Sequence, residues 1–478
     1  MNLVAKCFLF AGMGGLLYAA LPVMAAGEHS PAVVASSPED SKSNLEGVAS
    51  KEQGWQSIEA ARKLWMSADM QSSSLEARKW SERYVTLLQI EADRGDAKAM
   101  VELGKIFSLG TSVFPANASK ALSWFERAAE IGDANSQYHL GYLYGSLNPP
   151  RKELSNKWYA RALSSFKAQA EKGDATGSFW YGLMHQKGKG TPVDHQKAYT
   201  WLTRAAEGGN LQAQILVAFM AREGLGCSAS ESIAFHWFDK AAEHNDVGAI
   251  TETALCYNEG KGVAKNEIKG REILQRGARL SDPFALRLLA EMYVQGRGGA
   301  QDLKQGLAYY RQAASLGDAW SAVEAYKRLR DGIGVDADLP MGLKILRRSA
   351  DELNAPPAVY ELGCYYLGQG DTDKGAASIQ KAAENGYAPA MGRLGWMCLT
   401  PGSGVGFNPV AAYHWLDLAA ERGERDISTQ LTWMIWGIGS LIVIFIAWFL
   451  IWMNRIINRK WAQQKAMEEK NQTKEVAS

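Results

Sequence analysis

A block of 36 residues repeats in register along this chain and constrains its fold more than any other feature. Residues 191–226 read TPVDHQKAYTWLTRAAEGGNLQAQILVAFMAREGLG, and residues 227–262 read CSASESIAFHWFDKAAEHNDVGAITETALCYNEGKG. Repeats of this length build stacked arrays, because one unit cannot bury its apolar face alone and closes it against its neighbours. Arrays of this kind present extended binding surfaces.

The chemistry inside a unit is regular. An acidic or amide residue follows a small turn at Asp96, Asp133, Asp174, Asn210, Asp246, Asp282, Asp318 and Asn354, with a constant step of 36 residues from Asp174 to Asn354. Tyr387 and Glu424 extend the series as weaker anchors. The anchor oxygen is placed to accept a hydrogen bond from a free N–H in the first turn of a helix. That first helix carries a large residue then a small one, as in Leu103-Gly104, Leu140-Gly141, Tyr181-Gly182 and Leu394-Gly395. The small residue admits a second helix. Between the two lies a Gly-x-Gly turn, as at Gly188 and Gly190, Gly224 and Gly226, and Gly368 and Gly370. Glycine there ends the helix in a left-handed conformation. The second helix carries a bulky knob (Trp124, Trp201, Trp237, Ile273, Tyr309, Ile345 or Trp415) and closes on small pairs such as Ala205-Ala206 and Ala241-Ala242.

This pattern resembles the Sel1-like repeat, a relative of the tetratricopeptide repeat, from roughly Leu87 to Gly423. The resemblance implies an all-α fold: an α-solenoid of stacked antiparallel helix pairs at 96–426, nine pairs beginning at Asp96, with a concave groove lined by the first helices. Solenoid ends need covering, so 51–95 is expected to form a helical cap around Trp55, Ile58, Leu64, Trp65, Trp80 and Tyr84.

By resemblance to tetratricopeptide arrays, five first-helix positions after each anchor face the groove. They place Tyr138, Tyr142, Phe179, Ile215, Phe219, Leu255, Phe284, Trp320, Tyr360 and Trp396 there, with Lys105, Arg222, Arg287, Lys327 and Arg330 among them. An apolar, aromatic groove with scattered cations suits an amphipathic helix or an extended peptide. The expected partners are therefore proteins or peptides.

The two ends carry other signals. Lys6, the apolar run from Phe8 to Leu21 and the small residues Val23 and Ala25 read as a secretory signal over 1–26. Residues 27–50 are rich in Ser, Pro, Glu and Ala and read as a flexible leader. Leu431 to Met453 contains no charge, and 23 residues suffice for the hydrocarbon core of about 30 Å. Trp433 and Trp436 at one end, with Trp448 and Trp452 at the other, match interfacial anchors, and Arg455, Arg459 and Lys460 place the following tail in the cytoplasm. A transmembrane helix over 427–454 and a cytoplasmic tail over 455–478 are expected.

Several chemistries are excluded or unsupported. Lys+Arg total 52 against 51 Asp+Glu, which gives no electrostatic case for nucleic acid. Motifs of metalloprotease, nucleophile-elbow or phosphate-loop type are absent, and the Gly-x-Gly pairs follow helices rather than strands. Ser164 to Lys167 and Ser378 to Lys381 lack the companions of a serine-lysine site. No cofactor, metal or catalytic residue is expected. Cys227, Cys256, Cys364 and Cys398 form no C-x-x-C pair; Cys364 and Cys398 are in reach of a disulfide in an exported compartment, and small buried thiols are the simpler reading.

Together these features point to a non-enzymatic scaffold, anchored in a bacterial inner membrane with its array in the periplasm. An endoplasmic-reticulum quality-control adaptor serving a ubiquitin ligase is the alternative, and an envelope enzyme without a recognisable motif is a third.

Overall fold

In the computed structural model, which describes residues 45–51, 54–70, 74–111, 113–423 and 452–453, helices start where the anchors stand. Asp96 accepts from the backbone N–H of Lys98 and Ala99 at 2.8 and 3.1 Å. Asp133, Asp174, Asn210, Asp246, Asp282 and Asp318 cap their helices in the same way. Each such cap is worth about 1 kcal/mol over alanine. The second helices have side-chain caps too, at Asn117, Asp194, Ser230, Asp302, Asp338, Asp371 and Asn408. The repeat is therefore punctuated at both of its helix starts.

Among the described residues every regular element is helical, and they fall into two compact units that divide after Gly277. Before the division, Trp55–Met70 pairs with Ser74–Asp93, Ala97–Leu109 with Ala118–Glu130, Ala134–Ser146 with Lys152–Glu171, Ala175–Lys187 with His195–Glu207, and Leu211–Glu223 with Glu231–Glu243. Val247–Glu259 precedes Glu267–Arg279, whose last residues lie past the division. After it, Pro283–Gln295 pairs with Leu303–Ser315, Ala319–Asp331 with Leu339–Arg347, Pro356–Gly368 with Thr372–Glu384, and Ala388–Met397 with Pro409–Glu421. Within each unit a helix packs chiefly on the helices just before and after it, which is the contact pattern of an α-solenoid.

The small residue of each first helix works as the spacing implies. A Cβ added at Gly104 would stand 2.6 Å from the Phe125 ring, and one at Gly141 would stand 2.7 Å from the Tyr159 ring. The side chain that fills this gap is one residue beyond the expected knob. Phe125, Leu202, Phe238, Leu274, Leu346 and Leu416 are 0 or 1% exposed, whereas Trp124, Trp201, Ile273, Tyr309, Ile345 and Trp415 are only half-buried. The half-buried Trp124 and Trp201 instead carry cations on their faces, Arg127 and Arg204 each at 4.5 Å, and Lys240 lies 4.9 Å over Trp237, which is itself buried.

Arginines also tie successive second helices together. Arg127 Nη2 donates to the Ala92 carbonyl oxygen at 3.3 Å, and Arg276 Nη2 donates to the Ala242 oxygen at 2.9 Å. Both acceptors lie at the C-terminal end of the preceding second helix, where carbonyls lack intrahelical partners and favour a cation.

The constant step of 36 fails at its last member. Asn354 is not a cap: it takes φ 49, the left-handed place that Gly317 holds one repeat earlier with φ 97. The cap is Ala355, which makes no side-chain bond to the helix start. The last step is thus one residue longer, and a π-helical turn at Arg348–Glu352 absorbs the extra residue. Gly368 likewise lies inside its helix, so only Gly370 of that pair is left-handed. Tyr387 holds the cap position of the last first helix without a side-chain bond.

The expected N-terminal cap is present as two helices, Trp55–Met70 and Ser74–Asp93. Trp55 Nε1–H donates to Asp96 Oδ2 at 2.8 Å, which fastens it to the first anchor. Among the described residues no helix is long and apolar enough to cross a membrane. The signal over 1–26 lies outside them, as does the leader to residue 44. The expected span and its anchors Trp433, Trp436, Trp448, Arg455, Arg459 and Lys460 also lie outside, Trp452 and Met453 excepted.

Candidate protein-binding faces on the first helices

The groove positions expected from sequence divide into buried and accessible sets. Before Gly277, Tyr138, Phe179 and Ile215 are buried and belong to the core. Tyr138 lies 5.4 Å from Tyr159 and 4.9 Å from Trp180, and Trp180 stacks on Phe166 at 5.6 Å. The fifth residue after the anchor is therefore used up by stacking on neighbouring helices. These three residues are corrected from groove to core.

Phe219 is half-buried, edge-on to Phe238 at 5.1 Å, with the Arg222 guanidinium 4.8 Å over its ring. Arg222 Nη1 donates to Glu252 Oε2 in the next repeat at 2.7 Å. Arg222 thus ties its repeat to the next, and both residues keep some surface. Leu255 is half-buried, and Tyr142 is 45% exposed. Lys105 pairs with Glu102 on its own helix at 2.8 Å.

After Ala278 the accessible set is larger and aromatic. Phe284 is half-buried beneath the Arg287 guanidinium at 4.7 Å, and Arg287 pairs with Asp318 at 3.7 Å. Trp320 is 49% exposed, and its ring lies 6.4 Å edge-on from Tyr387. Tyr387 in turn lies 5.5 Å from Tyr360. Three consecutive repeats thus contribute one aromatic each to a continuous line. Burial pushes the Tyr360 hydroxyl well above its ordinary value, with the neighbouring Cys364 adding to the shift. Lys327 pairs with Glu361 at 3.0 Å, Arg330 with the adjacent Asp331 at 2.6 Å, and Trp396 is 40% exposed.

Sequence reasoning missed Tyr387 as a member of this line, because it read the position only as a weak anchor. The available signal was an aromatic residue where earlier anchors are Asp or Asn.

The four cysteines among the described residues are free thiols, Cys256 and Cys398 buried and Cys227 and Cys364 half-buried. Burial pushes the Cys256 thiol up to about 11. The expected reach between Cys364 and Cys398 therefore yields no bond. Among the described residues no three His, Cys, Asp or Glu side chains gather as metal ligands. Lys167 is ion-paired with Glu171 at 3.6 Å.

Capped helix pairs, small-residue contacts and accessible first-helix aromatics define a helical-repeat protein suited to binding other proteins. Nine segments of the chain match the Sel1 repeat, at residues 97–133, 134–165, 175–210, 211–246, 248–282, 283–318, 327–352, 356–387 and 388–424. They cover more than half of the sequence, and the chain belongs to the Sel1 repeat family.

A stretch of 112 residues is 28% identical to the ERAD-associated E3 ubiquitin-protein ligase component HRD3B of Arabidopsis thaliana, covering 23% of this chain and 17% of that protein. A stretch of 130 residues is 33% identical to chitin synthase regulatory factor 3 of Schizosaccharomyces pombe, covering 26% of this chain and 13% of that protein. The matches thus span less than a fifth of either relative. Similar solved structures include a protective antigen of uropathogenic Escherichia coli with an SLR fold, at 27% identity and a TM-score of 0.45, over 72% of this chain and 80% of that one. A Sel1 repeat protein from Oxalobacter formigenes aligns at 25% identity and a TM-score of 0.44, over 73% of this chain and 89% of that one.

Proposed function

We propose that this chain is a non-catalytic, membrane-anchored adaptor whose repeat array gathers other proteins into a membrane complex. The observation that carries the reading is the aromatic line Trp320, Tyr387 and Tyr360, one residue from each of three consecutive repeats, with Trp320 half open to solvent. Exposed tryptophan beside tyrosine is costly to leave in water and is typical of interface anchors. The uncharged run from Leu431 to Met453, flanked by Trp pairs and followed by Arg455, Arg459 and Lys460, supports the anchor. The signal-like segment at 1–26 supports export of the array, and a bacterial inner membrane with the array in the periplasm fits both ends.

The endoplasmic-reticulum alternative has its own support, the partial likeness to a ubiquitin-ligase component of Arabidopsis. Under that reading the array faces the lumen and the same aromatic face receives its partners.

The test is a photo-crosslinking residue placed at Trp320 or Trp396 in the full chain in native membranes, with Leu109, an exposed apolar residue of the other unit, as the comparison site. The adaptor reading expects discrete crosslinked proteins at the first two sites, lost on mild denaturation. Crosslinks no different from those at Leu109 would refute it. Carbonate extraction tests the anchor separately: a chain released to the supernatant is not membrane-spanning.

A further inference from the structure

We propose that the aromatic face of residues 318–396 selects peptides in which an acidic residue lies close to a large apolar one, with Arg393 as the acid's partner. This rests on the adaptor reading and names the chemistry of what that face receives. Four other basic side chains on first helices of this unit are already paired. Arg287 faces Asp318 at 3.7 Å, Lys327 faces Glu361 at 3.0 Å, Arg330 forks onto Asp331 at 2.6 and 2.8 Å, and Arg328 is bonded to Glu324. Arg393 is exposed and makes no hydrogen bond or ion pair among the described residues.

Its position joins it to the aromatic line. The Arg393 charge is felt at both Tyr360 and Cys364, where it opposes the upward push of burial. Trp396 follows three residues later on the same helix, on the same face, and is 40% exposed. Glu361, the acid closest in register, is taken by Lys327. The surface therefore offers open indoles at Trp320 and Trp396, tyrosines edge-on to each other at Tyr360 and Tyr387, and one guanidinium without a counter-charge among the described residues.

A guanidinium beside apolar rings favours a carboxylate that can take two N–H donors at once. The indoles favour a large apolar side chain in the same segment. A basic peptide would meet Arg393 with repulsion, so the face discriminates as well as attracts.

The probe is a phage-displayed library of random peptides, panned on the purified full chain and on its Arg393→Glu, Arg393→Gln and Trp320→Ala variants. Thermal melting of each variant confirms folding first. Peptides selected by the native chain should carry Asp or Glu within four positions of Leu, Phe or Trp. Their binding should fall about tenfold on Arg393→Gln and further on Arg393→Glu. Selection on the Arg393→Glu variant should favour Lys or Arg instead. Trp320→Ala should weaken binding whatever the peptide charge. Selected peptides without an acidic bias, or with a bias that survives Arg393→Glu, overturn the assignment to Arg393 and leave the adaptor reading standing. A library that yields no Trp320-dependent binder overturns both.

Discussion

Gly226→Ala probes what holds one repeat to the next. Gly226 closes the turn between Leu211–Glu223 and Glu231–Glu243, with φ 79. A Cβ there would fall well inside the van der Waals surface of the His195 carbonyl oxygen and 2.9 Å from the Gln196 backbone nitrogen. Those atoms begin the second helix of the preceding repeat, so the turn lies directly on its neighbour's backbone. A carbon normally stays about 3.3 Å from a carbonyl oxygen. The turn or the helix start must therefore shift by roughly an ångström, and overpacking of this kind costs about 1–3 kcal/mol. The left-handed backbone adds about 1–2 kcal/mol for any residue with a Cβ. Gly209→Ala, within residues 191–226, separates the two terms. Gly209 has φ 83 but nothing within 4 Å of an added Cβ, so only the backbone term applies. Urea denaturation followed by far-ultraviolet circular dichroism should show Gly226→Ala less stable than Gly209→Ala by about 1–3 kcal/mol. A lowered slope would mean that the array has begun to unfold in parts. If the two variants are equally destabilised, the stacked turn does not bear on the neighbouring repeat and the packing argument fails.

Other perturbations test separate features. Arg276→Met removes the donor to the Ala242 oxygen and should cost about 1 kcal/mol by urea midpoint, while Arg311→Met, an exposed arginine without such a contact, should change it little. His139 stacks on Phe125 at 4.8 Å, and burial, with Lys105 nearby, holds it neutral down to about 3. The native state thus disfavours the proton, so stability is intact above pH about 6.5 and falls as the pH drops from there towards 3. His139→Phe should reduce the loss between pH 7 and pH 5 by about 1 kcal/mol, discounted for the part of the ring that water reaches. An unchanged pH dependence would remove His139 as a cause. Deleting Asp351 should restore a regular helix end in place of the π-helical turn and leave the melting temperature unchanged or raised. A deletion of Glu207, where the turn is already regular, should lower it by several degrees.

The fold was legible because each repeat states the same rule. Cap, small residue and turn glycine are local signals, and seven anchors placed seven helix starts where the structure has them. Asn354 misled for a physical reason: asparagine suits both a cap and a left-handed turn, so one inserted residue left no mark in composition. The knob was misread by one position because Trp124 and Phe125 are both bulky, and only packing shows which ring meets Gly104. The groove was legible only in part. A large apolar residue on a first helix reads the same whether it stacks on a neighbour, as Tyr138 does, or stands open, as Trp320 does. The paired state of a cation such as Arg222 depends on Glu252, 30 residues away, and has no local signature.

Where the chain obeys its repeat, the residue is consumed by stacking and says little about a partner. Tyr138, Phe179 and Ile215 are apolar because the next helix needs them so. Information about a partner is held where the rule is broken without a packing reason. Tyr387 stands at a cap position that a carboxylate or amide fills in seven earlier repeats and Ala355 in the one before it, and it joins an aromatic line in place of a cap bond. Trp320 occupies a position where the preceding repeats in this register carry Gln212, Gly248 and Phe284, and it keeps half of its surface in water. Arg393 stands where Glu252, Glu324 and Glu361 each face a cation, and it reverses that charge. Stability alone would not retain an exposed indole or an unpaired cation, since neither contributes measurably to folding when solvated. That three such departures fall together on the first helices between 318 and 396 and their caps is the reason to look there for the partner rather than along the whole array.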